Sequence, residues 1–179
     1  MMRCRFPTLS RPITLALVGL MLFGLAGIGS AMAQQRDAEQ PIEVEADQLD
    51  LDDTAGTAVY TGDVDIRQGS MRLTGDRVEF QRNAAGELSR ATARGERAYI
   101  EQQPDPEQPV VRGWGRTIIY HVAERRVELI DRAELHQGSD TFDGGYLEYF
   151  LDRRVVQARS RSEGVEGSQR IRMTLQPES

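Results

Sequence analysis

Tyr60–Phe80 reads YTGDVDIRQGSMRLTGDRVEF, and 69 positions later Leu129–Tyr149 reads LIDRAELHQGSDTFDGGYLEY. The two stretches hold one register. Gln68-Gly69-Ser70 falls on Gln137-Gly138-Ser139, and Gly75 on Gly144. Val78-Glu79-Phe80 falls on Leu147-Glu148-Tyr149, and beyond the quoted stretch Gly95 falls on Gly164. Each copy alternates apolar and polar residues, turns at Gln-Gly-Ser, and alternates again. Alternation with period two marks a strand with one apolar and one wet face, and a glycine-centred break between two such runs marks a hairpin. A duplicated hairpin points to an elongated, stacked sheet rather than a pocket in a mixed fold.

The same period extends outward. Ile42, Val44 and Ala46 alternate with Glu43, Glu45 and Asp47; Ile118, Tyr120 and Val122 share one parity; Ile171, Met173 and Leu175 alternate with Arg172, Thr174 and Gln176. Turn signals recur at Asp53–Gly56, Asn83–Gly86, Arg94–Glu96 and Ser162–Gly164. At about 8–12 residues per strand the chain accommodates roughly 12 to 18 strands. No stretch shows helical periodicity. Gln102–Pro109 carries three prolines, which do not fit inside a paired strand, and is expected as a loop between repeat one (about 40–101) and repeat two (about 110–176).

The first 33 residues read as a secretory signal peptide. Arg3, Arg5 and Arg11 precede an apolar run from Ile13 to Ile28, and Ala31-Met32-Ala33 places cleavage between Ala33 and Gln34. The run is short for a membrane span, and the one cysteine, Cys4, lies before it. The expected mature chain, 34–179, is one domain without cysteine, which excludes disulfide scaffolds, thiol redox chemistry and cysteine zinc sites. It carries 19 basic and 28 acidic residues, a net charge of −9, and every basic residue is arginine. Such a balance is a poor match for nucleic acid.

Motifs for chemistry are missing. Asp47–Asp53 resembles a calcium loop, but counting from Asp50 the sixth position is Ala55 instead of Gly and the twelfth is Thr61 instead of Glu. Leu49 and Leu51 alternate with the acids, as on a solvated strand. His121 and His136 have no second ligand at metal spacing and share the polar parity of their strands. Ser139 is a turn serine without the glycine-flanked elbow of a hydrolase. Neither catalytic residues, nor a metal site, nor a cofactor is expected. Trp114, between Gly113 and Gly115, is expected to fill the core rather than to stack on a sugar.

These residues carry a family resemblance. Gln40-Pro41-Ile42 leading to Ala46-Asp47, Tyr60-Thr61-Gly62-Asp63-Val64, Gln68-Gly69 and Gly75-Asp76-Arg77-Val78, followed by a weaker second copy, resemble the OstA-like domain of the LptA family of periplasmic lipopolysaccharide export proteins. The resemblance spans about Gln40 to Leu175. It implies an all-β, twisted antiparallel jellyroll-like slab, a β-taco, whose two sheets form a V around an apolar groove. It further implies head-to-tail stacking through terminal strands, and a bridge from inner to outer membrane with LptC-like and LptD-like partners of the same fold. A cleavage site instead of a retained anchor, and a chain stopping at Ser179 without a barrel, fit the LptA-like component. Gly62-Asp63 becomes Asp131-Arg132 in the second copy, which departs from the pattern at a turn.

The expected cargo is lipopolysaccharide, held by its lipid A acyl chains. The resemblance implies groove positions at Ile42, Val44, Ile100 and Val122. Apolar parity adds Tyr60, Val64, Ile66, Leu73, Phe80, Tyr120, Leu129, Leu135, Phe142, Leu147 and Tyr149. The expected stacking edges are Ile42, Val44 and Ala46 at one end and Ile171, Met173 and Leu175 at the other. An exported carbohydrate-binding β-sandwich without lipid cargo is the alternative.

Overall fold

The computed structural model describes residues 40–103, 105–160 and 169–176. They form ten antiparallel strands: β1 (Glu43–Glu45), β2 (Gln48–Asp52), β3 (Thr57–Gln68), β4 (Met71–Arg82), β5 (Leu88–Gln102), β6 (Val111–His121), β7 (Arg126–Gln137), β8 (Asp140–Phe150), β9 (Val155–Arg159) and β10 (Arg172–Thr174). Each long strand pairs with its sequence neighbour from β3 through β8. β1 and β2 both pair with β3, and β9 and β10 both pair with β8. The sheet is therefore a meander with two free sides, and it is all-β and unclosed. The count falls below the 12 to 18 expected because the central strands run 11–15 residues, longer than the spacing of turn signals suggested.

The repeat is visible in the backbone. The hairpin β3–β4 recurs as β7–β8 with every boundary but the last displaced by 69 residues. Gly69 and Gly138 close the two hairpins with φ of 57° and 61°, a conformation in which a Cβ is disfavoured. Elsewhere the second copy keeps the conformation without the glycine. Gly56 (φ 65°) becomes Arg125 (φ 48°), and Gly62-Asp63 (86°, 39°) becomes Asp131-Arg132 (58°, 54°). The bonds follow: Arg82 N–H donates to the Gly56 carbonyl, and Leu151 N–H to the Arg125 carbonyl, each at 2.9 Å.

Those left-handed residues belong to a line of β-bulges. The ladder breaks between Thr61 and Val64, Thr74 and Arg77, Arg94 and Ala98, Trp114 and Thr117, and Ile130 and Ala133. Each break lies opposite the next, so one crease crosses β3 to β8. The gap between β1 and β2 continues it on one side and the separation of β10 from β9 on the other. Bulges bend a strand and increase its twist. The crease divides the sheet into two eight-membered leaves. Leaf A holds β1, β10 and the strand halves next to Gln68 and Gln137. Leaf B holds β2, β9 and the other halves.

The leaves pack face to face. Gly113 lies in leaf A between Ile100 and Leu135, yet a Cβ built on it would meet Leu129 Cδ1 of leaf B at 2.9 Å. The buried cluster draws on both leaves: Ile66, Leu73 and Leu135 from A, and Val78, Ile118, Leu129 and Leu147 from B.

Five residues read as strand from sequence lie just outside the strands. Val122 lies in the turn after β6, where its N–H donates to the Ser89 carbonyl, rather than in the strand. Ala46 falls in the gap at the crease, Ile42 precedes β1, and Ile171 and Leu175 flank β10. Terminal segments paired on one side only keep fewer ladder residues. Ala31–Ala33, Gln34, Pro104, Ser162 and Gly164 lie outside the described residues.

Candidate functional site

Register places the apolar parity in continuous rows. In leaf A one row runs Val44, Ile66, Leu73, Ile100, Gly113, Leu135, Phe142, Met173. In leaf B one row runs Leu49, Tyr60, Val78, Ala93, Ile118, Leu129, Leu147, Ala158, and the next runs Leu51, Ala58, Phe80, Ala91, Tyr120, Val127, Tyr149, Val156. Val64 sits beside the crease, opposite Gly75. So, of the candidate groove residues, all but Ile42, Val64 and Val122 lie in three facing rows. Their middles are dry: Ile66, Leu73, Leu129 and Leu147 have no exposed surface. Tyr60 and Phe80 meet edge to face at 5.7 Å.

At the two free sides the rows come out into solvent. The exposed large hydrophobic residues among those described are Ile42, Leu49, Leu51, Val155, Ile171, Met173 and Leu175, each 40% to 58% exposed. All seven lie in or beside β1, β2, β9 and β10. Leu49 and Leu51 were not singled out from sequence, because the four acids of Asp47–Asp53 made the segment read as solvated. Their alternation with those acids was the available signal. β2 is indeed exposed along its whole length. Val78, Ile118 and Val127 are further inner residues that the candidate set missed.

The outer faces are polar networks. On leaf A, Arg67 and Arg72 stand directly opposite each other on β3 and β4, and both bond Asp65. The hydrogen bond from Arg72 holds the Asp65 carboxyl down at about 2, with Arg67 adding to it against partial burial. On leaf B, Arg126 bonds Glu124 (2.8 Å), Glu148 (2.8 Å) and Glu128. Burial disfavours its charge, but Glu124 and Glu128 hold the guanidinium above its usual range. Burial, with Glu128 and Glu148 nearby, pushes the Tyr146 hydroxyl up to about 12.

Both histidines face outward, as parity requires. His121 Nε2 lies 2.7 Å from Glu128 and His136 Nε2 2.7 Å from Glu134. Trp114 is not in the core. Adjacent strand residues point to opposite faces, and Gly113 occupies the inward position beneath Leu129. Trp114 therefore stands on the outer face of leaf A, half-buried, with Tyr99 at 5.3 Å, His136 at 4.8 Å and the Arg97 guanidinium 5.1 Å over its ring. Among the described residues no group of three or more His, Cys, Asp or Glu could hold a metal ion, and no helix is long and apolar enough to cross a membrane.

The site is thus a pair of apolar walls whose large exposed residues, among those described, lie at the two sheet ends. Known proteins share this fold. The chain is 42% identical over 162 residues to the lipopolysaccharide export system protein LptH of Pseudomonas aeruginosa, covering 88% of this chain and 93% of that protein. It is 30% identical over 138 residues to the lipopolysaccharide export system protein LptA of Escherichia coli K12, covering 76% and 74%. The crystal structure of Pseudomonas aeruginosa LptH, described as the LptA-homologous periplasmic component of the lipopolysaccharide transport device, matches with a TM-score of 0.73 at 41% identity, over 79% of this chain and 99% of that one. The profile of the LptA/(LptD N-terminal domain) LPS transport proteins matches residues 43–155. The chain belongs to this family of lipopolysaccharide transport proteins.

Proposed function

We propose that the protein is a periplasmic carrier that holds the acyl chains of lipopolysaccharide between its two leaves. It is exported, with cleavage between Ala33 and Gln34, and needs no cofactor. Copies stack head to tail, β1 and β2 of one against β9 and β10 of the next, with LptC-like and LptD-like partners completing the passage to the outer membrane. The observation that carries this reading is that Leu49, Leu51 and Met173, which end the inner rows at the free sides, are exposed, with Ile42, Ile171 and Leu175 exposed beside them; Val155, next to inward Val156, has the outer parity. Stacking there would join one molecule's rows to the next molecule's.

The energetics favour such a path. Each acyl methylene exposed to water costs about 0.8 kcal/mol, so free diffusion of a many-chained lipid is prohibited. The leaves touch at Gly113 and Leu129, so cargo must part them. The apolar area uncovered by parting is covered again by the chains, so opening and loading offset each other. The acidic surface repels phosphorylated head groups and leaves them in water.

Photo-crosslinking from single positions tests the reading. Probes at Val44, Leu49 and Met173 should capture lipopolysaccharide, and probes at Glu45, Asp65 and Glu148 should not. Equal capture from both parities would overturn it.

A further inference from the structure

We infer that the second repeat contains a side portal into the inter-leaf space, through which a single acyl chain passes, and that Gln137 and Arg154 form the bar across it. The inference rests on the acyl-carrier reading above. A cleft of about 180 Å³ opens between the loop 105–109 and the turn 151–154. Its floor is apolar: Val111 from leaf A, and Tyr149 and Leu151 from leaf B, each less than a tenth exposed. It is therefore a place where solvent comes within one side chain of the inner rows.

The bar spans the two leaves. Gln137 ends β7 in leaf A, and Arg154 closes the turn that follows β8 in leaf B. With the amide oxygen of Gln137 turned outward, it accepts from Arg154 Nε at 3.2 Å and Nη2 at 3.3 Å. Orientation of an amide by its partners is the standard assignment. Arg154 reaches this position with φ of 54°, a left-handed conformation disfavoured for a non-glycine residue. The turn is thus strained in the barred state.

A buried polar atom adds an independent sign. Gln102 is 7% exposed, pairs in register with Val111 on the cleft floor, and its Oε1 has no donor. A donor entering past the bar, from water or from the cargo, could serve this acceptor. The first repeat is built differently: the counterpart of Arg154 is Ala85, whose N–H is held at 2.9 Å by its own turn residue Asn83. The bar belongs to the second half alone.

A gate and a binding contact differ kinetically. A bar in front of an unchanged site slows arrival and departure equally, whereas a contact acts mainly on departure. Stopped-flow exchange of a dansyl-labelled fatty acid on the purified protein reads both. Arg154→Gln and Gln137→Ala should each raise the association and dissociation rates about fivefold, the worth of about one hydrogen bond, with Kd nearly unchanged. Gln137→Glu converts the bar into an ion pair and should slow both rates, and adding Arg154→Gln should release them. Wild-type rates in all variants, or a change confined to dissociation, would overturn the portal while leaving the carrier intact. Failure of the unaltered protein to take up the fatty acid or lipopolysaccharide would overturn both. Arg154 is exposed on its turn and Gln137 ends its strand, so the two sets of variants do not depend on one residue's effect on folding.

Discussion

Leu129 of leaf B fills the space over Gly113 of leaf A: a Cβ on Gly113 would stand 2.9 Å from Leu129 Cδ1 and 3.1 Å from Ile100 Cγ2. At this contact the two halves of the folded sheet meet. Gly113→Val should destabilise by about 1–3 kcal/mol through overpacking, and Leu129→Ala by about 2–5 kcal/mol through the cavity it leaves. The double variant should cost less than the sum, because the truncated leucine makes room for the new side chain. Ile100 remains as a second wall, so the compensation is partial. Chemical denaturation of the four proteins measures the coupling, and strict additivity would show that the leaves do not meet at this pair.

The hairpins were legible in sequence because Gly69 and Gly138 punctuate clean alternation, and the inner rows followed from parity. The crease was not. A bulge adds a residue without changing composition, and in the second copy it is made by Asp131-Arg132, which carries no glycine to announce it. Trp114 was misread for a related reason. Its flanking glycines suggested close packing around the indole, whereas Gly113 reserves inner space for Leu129 and leaves Trp114 outside. Leu49 and Leu51 were passed over because their acidic neighbours dominated the segment, although parity set them facing the other way.

The bulge can be tested through its two versions. Arg132 is exposed with φ of 54°, so Arg132→Gly removes about 1–2 kcal/mol of strain against about 0.5–1 kcal/mol of added chain entropy. The net change should be a small stabilisation, read as a rise in Tm. Gly62→Ala should move the other way and further. Its φ is 86° and the new Cβ would lie 2.1 Å from Asp47 Oδ2. If Gly62→Ala is as harmless as Arg132→Gly, the bulge does not set the crease.

Asp65 separates two arginines that face each other across β3 and β4, where like charges destabilise. Its carboxyl is held at about 2, below the ordinary 3.8. A depressed folded-state value stabilises the protein above the unfolded value, and that contribution is lost as pH falls from 3.8 through 2. Asp65→Asn should therefore lower stability at neutral pH, and the gap to the parent should close across that window. Solvent screening of the exposed arginines keeps the effect modest, and salt should reduce it further. A difference between the two proteins that stays constant from neutral pH down to about 2 would reject the assignment to Asp65.

The last prediction concerns the open side of the sheet. β10 pairs with β8 through Met173 and Phe142, and its other side has no partner strand among the described residues. A strand with one free side is a template for another chain, and native edges are usually blunted by charge. Arg172 provides charge here, but Ile171, Met173 and Leu175 remain half exposed. Met173→Pro should abolish self-stacking through this edge. If the Met173 N–H faces outward, proline removes a donor that the neighbouring copy would use. If it faces β8, proline detaches the strand that offers the edge. Either way the central strands keep their ladders, so circular dichroism and Tm should change little. Sedimentation across a concentration series should then show monomer where the parent assembles. Unchanged assembly in a folded Met173→Pro protein would assign stacking to a different surface.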